Sequence, residues 1–243
     1  MFGFRLHHLP KDFFQDACDI HCHLLPGVDD GFSSMEKSLH ALKKLEEQGV
    51  KKMILTPHFM SNYPNNNREN IMSEFEAFKT EASQVCQIEI RLAGEYMLEM
   101  QFVDHVSQGM LTLDKVGKHV LCETSYLMYA PDYTTMLYDI MCDGYQPVIA
   151  HPERYEYANR DIYRRWKDKR YKFQLNLLSL AGAYGAPVRS RALYLLNGDM
   201  YDFIGSDMHS LDNFRRFLPG IRLRAREIDA IAYLLENNKK LFD

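Results

Sequence analysis

Five of the ten histidines stand in short apolar segments that close on metal-ligating residue types: Asp19-Ile-His21-Cys-His23, Leu55-Thr-Pro-His58, Val148-Ile-Ala-His151 and Ile204-Gly-Ser-Asp207-Met-His209. Imidazole nitrogens and carboxylate oxygens in this company suit divalent cations. His21 and His23 are two residues apart, so on a strand their side chains leave one face and can hold one ion together. Asp207 and His209 repeat that spacing. Taken singly, each has an ordinary explanation as a packed or solvated side chain. Two same-face pairs plus two strand-end histidines do not. Glu95, after Leu92-Ala-Gly, and Glu123, after Val120-Leu-Cys, place carboxylates at the ends of two more apolar runs. Of the neighbours Asp29 and Asp30, one suits the start of a helix and the other a ligand. The resulting donor set is His21, His23, Asp30, His58, Glu95, Glu123, His151, Asp207 and His209. It is sufficient for two or three divalent ions with water in the open positions, which is the equipment of a polynuclear metal hydrolase. His7, His8, His40, His105 and His119 lack such a setting and are not counted as ligands.

Donors so far apart in the chain need elements that bring them together. Strand-like runs at 17–22, 52–56, 88–93, 119–123, 147–150, 172–176 and 202–206 alternate with amphipathic stretches, the pattern of a parallel sheet or barrel. The first helix has Ser33 or Ser34 as N-cap, Met35, Leu39, Leu42 and Leu45 at helical spacing, and Gly49 as its stop. Further helices are expected over 70–85, 133–143, 161–169, 190–197 and 225–238. The segment 61–67, Ser-Asn-Tyr-Pro-Asn-Asn-Asn, reads as an exposed loop beside His58 and part of a substrate rim. In a parallel α/β barrel the chemistry lies at the C-terminal strand ends, and every counted donor falls at or just past such an end.

A chain of 243 residues with 46% hydrophobic content is accommodated by one domain, residues 1–243, with 1–16 as an N-terminal extension. A net charge of -4 without a basic stripe argues against nucleic acid as a partner. Five cysteines without paired zinc-ribbon spacing read as reduced thiols of a cytoplasmic protein. None is followed by five residues and an arginine, so thiol-based phosphate chemistry is disfavoured. There is neither a leader-like N-terminus nor an apolar run of membrane-spanning length.

Together these segments resemble the PHP (polymerase and histidinol phosphatase) metal hydrolases, and among them the bacterial capsular-polysaccharide-type protein-tyrosine phosphatases. The resemblance rests on Asp19-Ile-His-Cys-His-Leu-Leu-Pro-Gly-Val-Asp-Asp-Gly31, Thr56-Pro-His58, Gly94-Glu95, Pro147-Val-Ile-Ala-His-Pro-Glu-Arg154, Ser179-Leu-Ala-Gly182 and Ser206-Asp-Met-His209, in the family's order from residue 19 to about 215. It implies a distorted TIM-like (β/α)7 barrel and a trinuclear site, usually active with manganese; imidazole and carboxylate donors of themselves also accept iron or zinc. It further implies that His21, His23, Glu95 and Asp207 hold one ion and that Glu95 bridges to a second, held by Glu123 and His151. Asp30, His58 and His209 would hold a third. Arg154 matches the phosphate-binding arginine, against the alternative of an ion pair with Glu153 or Glu156. Arg215, with Arg216 beside it, stands near the position of a second. Glu95, Arg154 and Asp207 are the expected catalytic residues.

The chain departs from the family pattern at Phe59, Tyr96 and Thr124-Ser125. These changes touch the pocket wall rather than the donors, and Tyr126, Tyr129 and Tyr133 are available to line it. The implied reaction is metal-assisted hydrolysis of phosphotyrosine, on the tail of a bacterial tyrosine kinase that governs capsule or exopolysaccharide assembly. The alternatives are a phosphatase for histidinol phosphate or a sugar phosphate, a phosphodiesterase, and a catalytically silent metal-binding interaction module. A silent module would be expected to have lost ligands, and none is lost.

Overall fold

Each strand that carries a donor is short, and hydrogen bonds made beyond the strand ends join them into one ring. The computed structural model describes residues 5–130 and 132–243; the first four residues of the expected N-terminal extension lie outside them. The strands are β1 (Cys18–Asp19), β2 (Lys52–Leu55), β3 (His58–Phe59), β4 (Glu89–Leu92), β5 (Glu95–Met97), β6 (His119–Glu123), β7 (Gln146–Ala150), β8 (Lys172–Asn176) and β9 (Phe203–Gly205). The helices are α1 (Met35–Glu46), α2 (Arg68–Ser83), α3 (Phe102–Ser107), α4 (Tyr133–Cys142), α5 (Arg160–Asp168), α6 (Ala186–Asn197), α7 (Leu211–Phe217) and α8 (Ala225–Phe242). Every strand pairing is parallel, in the orders β1-β2-β4 and β3-β5-β6-β7-β8-β9.

Two seams unite these sheets. Leu55 pairs with Leu92 and His58 with Glu95 at the same offset, so β2–β3 and β4–β5 are two strand courses, each interrupted once. Ala93 N–H donates to Leu55 O and Glu95 N–H to Pro57 O across the interruption. Pro57 has no N–H to give a ladder. At Gly94 the backbone passes so close to Phe59 that a Cβ would stand 2.8 Å from its ring. At the other seam Asp207 N–H donates to His21 O (2.8 Å) and His23 N–H to Met208 O (3.0 Å), which joins the extensions of β1 and β9. Seven strand courses therefore form an α/β barrel, as the sequence led us to expect.

Buried apolar side chains from six of those courses meet in one cluster, among them Ile20, Ile54, Ala93, Leu121, Val148 and Phe203. Leu241 and Phe242 at the end of α8 join it. This is the barrel interior. A strand repeats its facing every two residues, so the interior rows continue from Ala93 to Glu95 and from Leu121 to Glu123. The seventh course, β8, turns Phe173 and Leu175 to the larger cluster beneath the helices and keeps Gln174 and Asn176 buried.

α1 is capped by Ser34, whose hydroxyl accepts from Lys37 N–H. Neither Asp29 nor Asp30 serves as its cap, which corrects the helix-start reading of that pair. α3 and α7, of six and seven residues, were not anticipated, because helices so short carry too few turns for a periodic signal. α6 begins at Ala186, ahead of the expected 190, with Pro187 in its first turn. The N-terminal segment is tied to the body at His7, whose backbone pairs antiparallel with Leu223.

Candidate metal centre

Eight of the nine expected donors fall into three overlapping groups: His21, His23, Glu95 and Asp207; His23, Asp30, His58 and His209; and His58, Glu95 and Glu123. Within each group one ligand atom per residue lies within 4.8 Å of the others. The ninth, His151, brings Nε2 to 3.0 Å from Glu95 Oε1. Glu95 is shared by two of the three groups and by the His151 contact. Its Oε2 stands 3.2 Å from His21 Nε2, 3.3 Å from His23 Nε2 and 3.1 Å from His58 Nδ1.

In three of the histidines the other ring nitrogen is committed elsewhere, which aims the free one inward. In the tautomers that donate from Nδ1, His21 gives its hydrogen to Gln174 Oε1 (3.0 Å) and His23 to Asp29 Oδ2 (2.9 Å). His209 gives its own to the backbone oxygen of Asp207 (3.0 Å). Second partners of this kind fix a ligating imidazole's orientation and basicity. They also resolve the two aspartates. Asp29 orients His23 and accepts from His58 N–H and Gly31 N–H, whereas Asp30 brings Oδ1 to 3.4 Å from His58 Nε2 and 3.3 Å from His209 Nε2. Asp207 divides its two oxygens. Oδ2 accepts from Arg154 Nη1 (2.6 Å) and Asn176 Nδ2 (2.7 Å), leaving Oδ1 for the histidines.

Local backbone irregularities place these side chains. His151 (φ 33) and Asp207 (φ 50) adopt the left-handed region, at a cost on the order of 1–3 kcal/mol each for a residue with a Cβ. On a regular strand His151 would face away from interior Ala150, and the turn instead brings its ring to Glu95. A comparable shift follows β1, where Ile20 packs in the interior but His21 and His23 reach the donors. Half-buried Asp19 secures that shift by accepting from His21 N–H, Ser206 N–H and the Ser206 hydroxyl. A Cβ at Gly205 would come within 2.6 Å of His21 Cβ, so the smallest residue is required there. The 61–67 loop lies at the rim as expected, but two of its residues reach further in. The Asn66 amide donates to Val28 O and His58 O, and the Tyr63 ring lies nearly parallel to that of His58.

Whether cations fit is answered by atoms that have no other partner. His58 Nδ1, Glu95 Oε2 and Glu123 Oε1 are buried without a hydrogen bond, although His58 Nδ1 lies 3.1 and 3.0 Å from the two oxygens. Buried polar atoms left so cost stability, and a divalent ion satisfies all three together. The electrostatics agree. Burial would raise the Glu95 and Asp207 carboxyls, but the surrounding imidazoles, with Arg154 beside Asp207, hold both well below the usual range. Burial would likewise push His58 down, yet Glu95, Asp30 and Glu123 hold it up, at about 10. The pocket is built for positive charge, and protons take it where metal does not.

Arg154 sits in the 3-10 turn Pro152–Arg154 after β7, with its guanidinium between the rings of Tyr126 (4.4 Å) and Tyr184 (4.3 Å). It does not form the alternative pair with Glu153, whose carboxylate is buried and accepts from Asn176 N–H and the Tyr201 hydroxyl. Arg215 is exposed on α7. The structure does not bring it into the donor cluster.

A sequence profile described as capsular polysaccharide synthesis, CpsB/CapC, matches residues 17–228. The chain belongs to the CpsB/CapC family. Within reach of that family it is 29% identical over 210 residues to the tyrosine-protein phosphatase YwqE of Bacillus subtilis, covering 79% of this chain and 77% of that one. It is 28% identical over 232 residues to the tyrosine-protein phosphatase CpsB of Streptococcus pneumoniae, covering 92% and 94%. Crystal structures of YwqE and CpsB, described as unique metal-dependent tyrosine phosphatases, include a chain that matches this fold with a TM-score of 0.73 at 24% identity, over 92% of this chain and 93% of that one. A phosphotriesterase homology protein of Escherichia coli shares the architecture more distantly, with a TM-score of 0.55 at 12% identity, covering 94% and 99%.

Gln174, Asn176, Tyr63 and Tyr184 escaped the sequence reading as site residues, and the orienting role of Asp29 was not separated from that of Asp30. A signal was present for the first two, since Gln174 and Asn176 alternate with Phe173 and Leu175 in one strand. Polar residues at that spacing mark an interior row with work other than packing.

Proposed function

We propose that this protein is a metal-dependent protein-tyrosine phosphatase that hydrolyses phosphotyrosine monoesters. The observation that carries the proposal is the convergence of three imidazole nitrogens on one buried carboxylate oxygen, Glu95 Oε2, at 3.1 to 3.3 Å, with Arg154 alongside. Family membership and the named phosphatases among the relatives support the same reading.

His21, His23, Glu95 and Asp207 would hold one divalent ion, with Glu95 shared toward Glu123, His151 and His58 and the outer donors Asp30 and His209 completing a set for two or three. Manganese is our choice, since mixed imidazole and carboxylate donors accept it readily, as they do iron and zinc. When bound, such ions would supply Lewis acidity and a water acidified for attack on phosphorus. The protein's part is to orient and to neutralise. Arg154 commits one N–H to Asp207 and is flanked by two tyrosine rings, so its other donors are pre-aimed for phosphate oxygens and meet charge as it develops. Gln174, Asp29 and Asn176 keep His21, His23 and Asp207 from turning away.

The chain would act as one barrel domain in the cytoplasm, on the phosphorylated tail of a tyrosine kinase in capsule or exopolysaccharide assembly. The five cysteines are free, and no helix among the described residues is long and apolar enough to cross a membrane. The test is hydrolysis of a phosphotyrosine peptide by chelator-stripped protein with and without Mn²⁺, beside histidinol phosphate and a sugar phosphate. Metal-dependent release from the peptide above the others is expected. Preference for a small phosphate would reassign the substrate, and no turnover in any metal would return the site to a structural role.

A further inference from the structure

The rim of the centre bears two depressions with different linings. One, of about 840 Å³, opens beside Asp30 and His209 and is walled by α1 with Lys37, His40 and Lys43. The other, of about 570 Å³, is lined chiefly by Met60, Met97, Met100, Tyr126, Leu127 and Met136. The charge of Glu99 in this second groove is already engaged, its two oxygens accepting from Ser61 N–H and the Ser61 hydroxyl.

We propose that the methionine-lined groove seats an apolar side chain of the substrate polypeptide within two residues of the phosphotyrosine. The inference rests on the phosphotyrosine reading above and names what that substrate carries beside its phosphate. Continuity with the metal centre decides the occupant. Met60 lies two residues past His58, Met97 two past Glu95, and Tyr126 three past Glu123, so the groove is built by the same three strand ends that carry those donors. Residues two apart on a strand face the same way, about 7 Å along it, which makes Met97 the outward neighbour of Glu95 in one row. Tyr126 is the wall shared by both. Its ring lies 4.4 Å from the Arg154 guanidinium and 5.7 Å from the His151 ring, and its hydroxyl reaches Glu123 Oε2 at 3.4 Å. A chain whose phosphate rests among the donors must carry its neighbouring residues past this wall.

The chemistry of the groove matches such an occupant. Met100 and Leu127 are 86% and 68% exposed, and Val103 and Met128 extend the apolar surface beside them. Exposed apolar surface concentrated at a site marks an interaction surface. Methionine adapts to side chains of differing shape, so the groove would select for apolar character rather than for one residue.

The experiment compares the full-length wild type with Met100→Ser/Leu127→Ser, both at exposed positions where the fold has least at stake. Substrates are two phosphotyrosine peptides, identical except for Leu or Gly at the positions flanking the phosphotyrosine, with p-nitrophenyl phosphate as a reference too small to reach the groove. The wild type is expected to favour the Leu peptide by about tenfold in kcat/KM, mainly through KM, as burial of one such side chain allows. The double variant should reduce that preference to about twofold or less. Equal use of the two peptides by the wild type, or an undiminished preference in the variant, overturns the proposal. So does a change in sedimentation of the variant with the peptide preference intact, which would make the groove a contact between copies of the chain. If the wild type turns over none of the three, the phosphatase reading fails separately. Anisotropy of the same labelled peptides on Mn²⁺-loaded protein then decides the groove, with tighter binding of the Leu peptide supporting it and equal binding overturning it.

Discussion

Two halves of the metal centre use the same ligand types in opposite surroundings. His21, His23, Glu95 and Asp207 are buried, and three of them are held by Gln174, Asp29, Asn176 and Arg154. Asp30 and His209 stand at the mouth, with side chains 60% and 29% exposed. Removing charged carboxylates from water is costly, so the inner half keeps its shape only through the partners the fold supplies. The outer half pays less and constrains less, and its open side is where water and substrate can exchange. His58 belongs to both, with Nδ1 toward Glu95 and Glu123 and Nε2 toward Asp30. Position and exchange have thus been assigned to different residues of one cluster.

The sharpest break in that division is Glu95→Ala. It removes the oxygen common to the inner groups and should lower kcat by about a thousandfold or more, taking about 4 kcal/mol of transition-state stabilisation. Metal analysis should find bound ions lost while circular dichroism retains the barrel. Asp30→Asn probes the outer half. Turnover should fall on the order of a hundredfold, with less than the full complement of metal lost; complete emptying of the site would show that the halves are not separable. Asp29→Asn leaves every donor in place but weakens the hold on His23, and a loss of about 10- to 100-fold in metal affinity is expected by competition with a chelator.

The smallest effect is on pH. His58 in the metal-free protein is held up at about 10, so its proton competes with metal below that value. Metal uptake by stripped protein should therefore tighten as pH rises from 6.5 toward 8.5. The stability of the stripped protein should move the other way. A group raised on folding stabilises fully below its unfolded value near 6.5, and that contribution is lost as pH climbs through its folded value. Thermal melts of stripped protein across that range check the sign, and a melting temperature that rises with pH would remove His58 from the explanation.

Most of the nine donors were legible because they stand at or just past the end of an apolar run, and for Glu95 and Glu123 a strand's two-residue period carries an interior row from packing to chemistry without changing face. Leu121 to Glu123 and Ala93 to Glu95 show this directly. The helix of α1 was equally legible, from its cap to its stop, because it is long enough to repeat. Asp29 and Asp30 were not separable, since adjacent identical residues differ only in what the fold places opposite each. Arg215 lies in a helix of seven residues, where register decides direction and too few turns exist to read it.

The amino-acid sequence by itself determined the βα alternation, the family and the kinds of atom that would meet, because those follow from local periodicity and residue chemistry. Tertiary structure decided which atoms face one another. Gln174 and Asp29 orient histidines of β1's extension from 153 and 6 residues away, and Arg154 meets Asp207 across 53. The left-handed turns at His151 and Asp207 re-aim their side chains. Such relations depend on ring closure, which sets distances between strands that no local pattern contains.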